Sequence, residues 1–156
     1  MPGLRAWPLT RYPYLVFYVD LPDHVAVWRV LQAQRDWLGR HGIDTAALMD
    51  RLASHAAIGA IEGGGVCRIA LTDADRAGRD QLVAWMKALD LEVRVDRIGN
   101  IFGIRAGRTD HAPVMTGSHI DTVATGGRYD GNYGVLAGLE VVRWLNQRGI
   151  VTERPI

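Results

Sequence analysis

The chain sets an imidazole and two carboxylates around a glycine-rich turn, between an apolar run and a stretch of helical period. Pro113-Val114-Met115-Thr116 leads into Gly117-Ser118-His119-Ile120-Asp121-Thr122, and Gly126-Gly127-Arg128-Tyr129-Asp130-Gly131 follows. A strand over 114–121 sends His119 and Asp121 to the same face, because strand side chains alternate. That spacing suits a metal ligand beside the group that orients it, or two ligands of one ion. A ligating histidine usually donates its other ring N–H to a carboxylate or carbonyl, which sets its tautomer. Asp130, on a loop entering a helix, brings a second anionic candidate to the strand's C-terminal end, where the sites of open α/β sheets collect. By itself His-x-Asp is more often an ordinary polar pair than a site.

The flanking sequence supplies the elements. Val135, Leu136, Leu139, Val142 and Leu145 recur with helical period, so the last helix starts near Gly131 and stops at Gly149. Glu140 inside that pattern reads as a surface or packing carboxylate. Earlier, Asp44 or Thr45 caps a helix with Leu48, Met49 and Leu52 on one stripe and Gly59 as its stop. Thr72-Asp73-Ala74-Asp75 caps another, with acidic residues where the helix dipole favours them, and it continues through Leu82, Val83, Trp85, Met86 and Leu89. Residues 91–97 and 100–105 read as strands about a Gly99-Asn100 turn. The glycine loop at 60–65 is not a phosphate cradle, since no Lys-Ser/Thr follows it. His111, in a polar turn, reads as a solvated loop histidine. Cys67 is the only cysteine, which excludes an intrachain disulfide and argues against a thiolate zinc site. Between Val66 and Ile69 it reads as a small buried residue.

The wider string resembles a known family. The motif 117–122, the Gly126-Gly127 pair and Asp130-Gly131-Asn132-Tyr133-Gly134-Val135-Leu136-Ala137-Gly138-Leu139-Glu140 are similar to zinc-dependent amidohydrolases related to aminoacylases and di-zinc exopeptidases. Within them the resemblance is to the N-carbamoyl-L-amino-acid hydrolase, β-ureidopropionase and allantoate amidohydrolase branch. Gly64-Gly65-Val66-Cys67-Arg68-Ile69-Ala70-Leu71-Thr72-Asp73-Ala74-Asp75-Arg76-Ala77-Gly78-Arg79-Asp80 and Ile98-Gly99-Asn100-Ile101-Phe102-Gly103 resemble it too. The resemblance spans roughly 43–156.

It implies an α/β domain with a mixed or parallel sheet flanked by helices, here the N-terminal part of a di-zinc exopeptidase-like domain. It makes His119 a ligand of one metal, Asp130 the bridge between two, and Asp121 the carboxylate behind His119. The implied cofactor is Zn2+, two per complete site, with Mn2+, Co2+ or Ni2+ as alternatives. The implied substrate is a small carbamoyl or ureido compound, and the implied assembly of the complete enzyme is a homodimer. The family takes its general base from a Glu-Glu pair that falls just beyond residue 156. This chain has Glu62, Glu92, Glu140 and Glu153 with no adjacent pair, and His24, His41, His55 and His111 all precede the motif. The general base is therefore expected to be absent, and the chain alone inactive.

The first residues differ in character. Residues 12–19 are aromatic and β-branched, Asp20-Leu21-Pro22-Asp23 reads as a turn, and 25–31 is again β-rich: an antiparallel hairpin, with Pro13 suited to a strand's first residue. The string over 2–38 resembles the C-terminal end of a RelE/ParE-type toxin. A hairpin belonging to the following domain is the other reading. The expected organisation is a toxin-like hairpin remnant at 1–38, a junction and helix at 39–60, and the amidohydrolase portion at 61–156. The competing functional class is an inactive fusion or truncation product, or a toxin–antitoxin-type binding remnant.

Composition excludes other classes. A 48% hydrophobic content and a formal charge of +1 over 156 residues describe an ordinary core-forming chain, with no basic excess for nucleic acid. No run approaches a membrane span. A single free cysteine agrees with a reducing cytoplasm. The sheet is expected to leave apolar edges exposed.

Overall fold

The computed structural model describes residues 42–156 and the strand segments of the N-terminal part. These segments are β1 (Leu4–Pro8), β2 (Tyr14–Asp20) and β3 (Val25–Gln32), a three-stranded antiparallel sheet in that order. The expected hairpin is β2/β3, with its register shifting between Phe17 and Tyr18. β1 was not foreseen; it pairs along β2 from Leu4↔Val19 to Pro8↔Leu15. A proline at the end of an outer strand costs no ladder bond. Pro13, the rest of the expected turn (21–23), His24, His41 and Gly39 lie outside the described residues.

Among the described residues three α-helices and a hairpin follow. α1 (Thr45–Ala56) opens where Asp44 accepts a hydrogen bond from the Ala47 N–H at 2.9 Å. α2 (Asp73–Ala88) opens where the Thr72 hydroxyl accepts from the Asp75 N–H at 3.3 Å. Both are side-chain caps of helix N–H groups that have no intrahelical partner. β4 (Glu92–Val95) and β5 (Ile101–Ile104) form a two-stranded antiparallel sheet. Their turn is closed by the Asp96 carboxylate, which accepts from the N–H groups of Ile98 (3.0 Å) and Asn100 (2.8 Å) and from Asn100 Nδ2 (2.8 Å). α3 (Asn132–Gln147) closes the fold, with Gly149 just past its end.

The core is a meeting of one stripe from each helix. Leu48 and Leu52 of α1, Leu82 and Met86 of α2, and Leu136, Leu139 and Val142 of α3 pack with Leu91 and Ile120. Met49 is not on the α1 stripe as expected; it is 46% exposed. The buried set is Leu48, Leu52, His55 and Ala56, spaced i, i+4, i+7, i+8, and a residue one position on turns about 100° away. Among the described residues no helix is long and apolar enough to cross a membrane.

Two further expectations need correction. Residues 114–121 form no strand, and the ladders among the described residues are antiparallel. The Val114 N–H bonds the Pro155 carbonyl at 2.9 Å and Met115 makes an isolated bridge, with no strand following. The segment is instead laid along α3. A Cβ on Gly138 would stand 3.0 Å from Thr116 Cγ2, one on Gly134 3.0 Å from Ser118 Cβ, and one on Gly131 2.6 Å from the His119 ring. Glycines at 131, 134 and 138 thus make a bare stripe that lets the segment lie close to the helix. Cys67 is half-buried rather than buried, and Ile69 is exposed. Val95, Val114, Met115 and Val151 are exposed.

Glu140 is a packing carboxylate. It is buried on α3, takes Arg143 Nε at 2.9 Å on each oxygen and Arg51 Nη1 at 3.2 Å, and Arg143 also reaches Asp44 at 3.5 Å. This cluster joins α1 to α3.

His55 is fully buried at the end of α1. Its Nδ1 donates to Gln81 Oε1 at 2.8 Å, its ring lies 5.7 Å from Trp85, and its Nε2 has no partner among the described residues. Burial holds its pKa below the usual 6.5; the Gln81 bond opposes this, and the Arg68 charge adds to it. A depressed folded pKa means the unfolded chain binds the proton more readily. Its contribution to stability is therefore complete above about pH 6.5 and is lost as pH falls below it. Urea unfolding at pH 7.5 and 5.5 should show wild type losing more stability on acidification than His55→Gln, by up to about 1.4 kcal/mol per pH unit.

Candidate functional site

His119 and Asp121 stand on the segment that leaves the α3 glycine stripe, and Asp130 ends the loop that re-enters α3. The three line a cleft of about 240 Å³ with Thr122, Val123, Thr125, Gly126 and Gly127. His119 Nδ1 lies 3.0 Å from the Asp121 carbonyl oxygen and 3.4 Å from its carboxylate Oδ1. A carbonyl only accepts, so Nδ1 donates to it, which leaves Nε2 as the nitrogen directed at Asp130, 3.7 Å from its Oδ2. Asp121 thus lies on the Nδ1 side of the ring, with its backbone carbonyl closer than the expected carboxylate. The side chains are open to solvent: His119 by 49%, Asp121 by 46% and Asp130 by 87%.

A zinc ion takes nitrogen and oxygen donors at about 2.0–2.2 Å, so two atoms 3.7 Å apart can both reach one ion. The donor chemistry fits: an imidazole nitrogen and a carboxylate that no lysine or arginine among the described residues engages. The set is partial, since among the described residues no group of three or more His, Cys, Asp or Glu side chains gathers to hold an ion. Glu140, engaged by Arg51 and Arg143, does not line the cleft, and neither does His111.

The residues that build the site were not singled out by sequence. Arg68 is fully buried and gives Nε to the Ile120 carbonyl (2.8 Å), Nη1 to the carbonyls of His55 (2.7 Å) and Ile58 (2.9 Å), and Nη2 to Asn132 Oδ1 (2.8 Å). Its own N–H bonds Thr122 Oγ1 at 2.7 Å, and its carbonyl takes the Thr122 N–H at 2.8 Å. Asn132, also buried, directs Nδ2 (3.1 Å) and its backbone N–H (2.7 Å) to the Asp130 carbonyl. Arg128 donates Nε to the Gly64 carbonyl at 2.7 Å and so ties the Asp130 loop to the earlier glycine loop. The available signal was a charge inside the apolar run Val66-Cys67-Arg68-Ile69. An arginine there is surface-directed unless its donors are matched.

Gly131 is required twice: its φ is +66°, and a Cβ would stand 2.4 Å from the His119 carbonyl oxygen and 2.6 Å from Nδ1. Gly131→Ala should cost roughly 1–3 kcal/mol in urea unfolding. It should also move the His119 imidazole resonances in ¹H–¹⁵N spectra, leaving those of His55 in place.

No family model matches the chain. It is 44% identical over 115 residues to the N-carbamoyl-L-amino-acid amidohydrolase of Rhizobium meliloti, which covers 73% of this chain and 28% of that protein. It is 37% identical over 102 residues to the allantoate amidohydrolase of Bacillus subtilis, covering 65% and 25%. A solved amidase of the hydantoinase/carbamoylase family from Burkholderia multivorans superposes with a TM-score of 0.72 at 57% identity, covering 73% and 28%. The chain spans little more than a quarter of the length of the curated relatives it matches. Over the aligned part of its length, the chain is homologous to the N-carbamoyl-L-amino-acid and allantoate amidohydrolases.

Proposed function

We propose that residues 61–156 carry part of the metal centre of an amidohydrolase that cleaves non-peptide C–N bonds of carbamoyl or ureido compounds. The observation that carries this is the His119 ring, tied at Nδ1 to Asp121 and aimed at Nε2 toward Asp130. The relatives' names, N-carbamoyl-L-amino-acid amidohydrolase and allantoate amidohydrolase, supply the substrate class. His119 and Asp130 hold the metal, zinc or a similar divalent ion, and Asp121 keeps the imidazole in the ligating tautomer. When bound, such an ion polarises a carbonyl and lowers the pKa of a water molecule toward neutrality.

The remaining requirement is a proton acceptor within hydrogen-bond reach of that water. No glutamate lines the cleft, and Glu140 is committed to two arginines. Turnover then needs a carboxylate supplied from outside these residues. Residues 1–38 form a separate module in this reading, of toxin-like descent and without a part in the chemistry.

Zinc titration by calorimetry tests the assignment. His119→Ala should abolish binding, since a pair reduced to one ligand cannot hold zinc where four are usual. Asp121→Asn should weaken it by roughly 10–100-fold. Binding equal to wild type in both variants would falsify the assignment. Hydrolysis of an N-carbamoyl amino acid by the chain alone should stay below detection. Turnover that His119→Ala removes would place the base within the chain.

A further inference from the structure

His119 and Asp130 stand on solvent-exposed loops, yet a metal pair works only if its donors keep their separation. Both side chains are largely open to solvent. The constraint comes from beneath. The Arg68 Nε and Nη2 N–H groups lie on one edge of a rigid plane, and they reach the two halves of the site separately. Nε holds the Ile120 carbonyl, between His119 and Asp121. Nη2 holds Asn132 Oδ1, and Asn132 turns its Nδ2 and backbone N–H onto the Asp130 carbonyl. The remaining nitrogen, Nη1, is anchored on His55 and Ile58 at the end of α1, so the plane itself does not turn.

We propose that Arg68 and Asn132 are positioning residues: together they form a bracket under the cleft that sets the separation of His119 Nε2 and Asp130. The bracket touches neither ion nor substrate. It acts by fixing the backbone at Ile120 on one side and at Asp130 on the other. Lysine at 68 offers a single nitrogen in place of the two parallel donors, so it cannot hold both arms. Alanine at 132 leaves the Ile120 arm in place and releases the Asp130 arm. The proposal rests on the metal-centre reading above, and its test is arranged to fail separately from it.

The experiment compares full-length wild type with Arg68→Lys, Asn132→Ala and Leu48→Ala, each at a temperature where circular dichroism shows it fully folded. Leu48 is a buried α1 residue whose truncation removes core packing but none of the bracket's hydrogen bonds, so its variant controls for lost stability. Two readouts are taken: zinc affinity by calorimetry, and the ¹H–¹⁵N imidazole resonances of His119 in metal-free protein. Arg68→Lys and Asn132→Ala should each weaken zinc by roughly 10–100-fold and shift the His119 resonances. Leu48→Ala should do neither. If Arg68→Lys does not fold, Asn132→Ala decides alone. Wild-type affinity with unmoved His119 resonances in the bracket variants overturns the proposal, as does an equal loss in Leu48→Ala. If wild type binds no zinc, the metal-centre reading fails, and the metal-free resonances still judge the bracket.

Discussion

A fully buried guanidinium is the interaction on which the rest of this fold leans. Removing a charge from solvent costs several kcal/mol even after relaxation, and only matched partners offset it. Arg68 finds them among backbone carbonyls. The carbonyls of His55 and Ile58 lie at the end of α1, where helical C=O groups lack intrahelical partners and carry the negative end of the helix dipole. Burial lowers the arginine's pKa, while the charges of Asp75 and Asp121 raise it. Arginine stays protonated under these conditions where lysine is prone to lose its proton. Its stem crosses α2 at Gly78, where a Cβ would stand 2.7 Å from Arg68 Cδ. One side chain thus meets α1, α2, α3 and the site segment.

The other end of α1 is held by charge of the opposite kind. Buried Glu140 gathers Arg51 from α1 and Arg143 from α3, and Arg143 reaches back to the α1 cap at Asp44. The leucine core fills the space between these two polar knots. Apolar burial supplies most of the stability of such a core, whereas hydrogen-bonded charges with fixed partners restrict which packing is reached. Breaking either knot leaves a charge with part of its bonding unmet, which is costlier than trimming the core by a methyl group.

What was legible in the sequence was local. Asp44 and Thr72 act within three residues of themselves, and both caps lie where the pattern put them. The Gly99-Asn100 turn and the Gly149 stop are signals of the same short range. The His119, Asp121 and Asp130 cluster was legible as a motif, and the structure brings those three together at one cleft. What could not be read there was anything settled by distant partners. Met49 depended on which way α1 faced. Residues 114–121 depended on whether a neighbouring strand was present or a glycine-lined helix took its place. Arg68 depended on carbonyls 13 and 52 residues away and an amide 64 residues away.

Those separations bear on how the cleft comes into being. Bonds that join residue 68 to 120 and 132 form only after long loops close, and closing them costs chain entropy that no local turn returns. The distance between His119 and Asp130 is therefore a property of the completed fold and of no smaller piece. A partly folded chain could keep its caps and its β4/β5 hairpin and still lack the paired donors. Any ion that needs both donors would then bind the native state alone. Its presence would raise the stability of the whole fold in proportion to the logarithm of its free concentration.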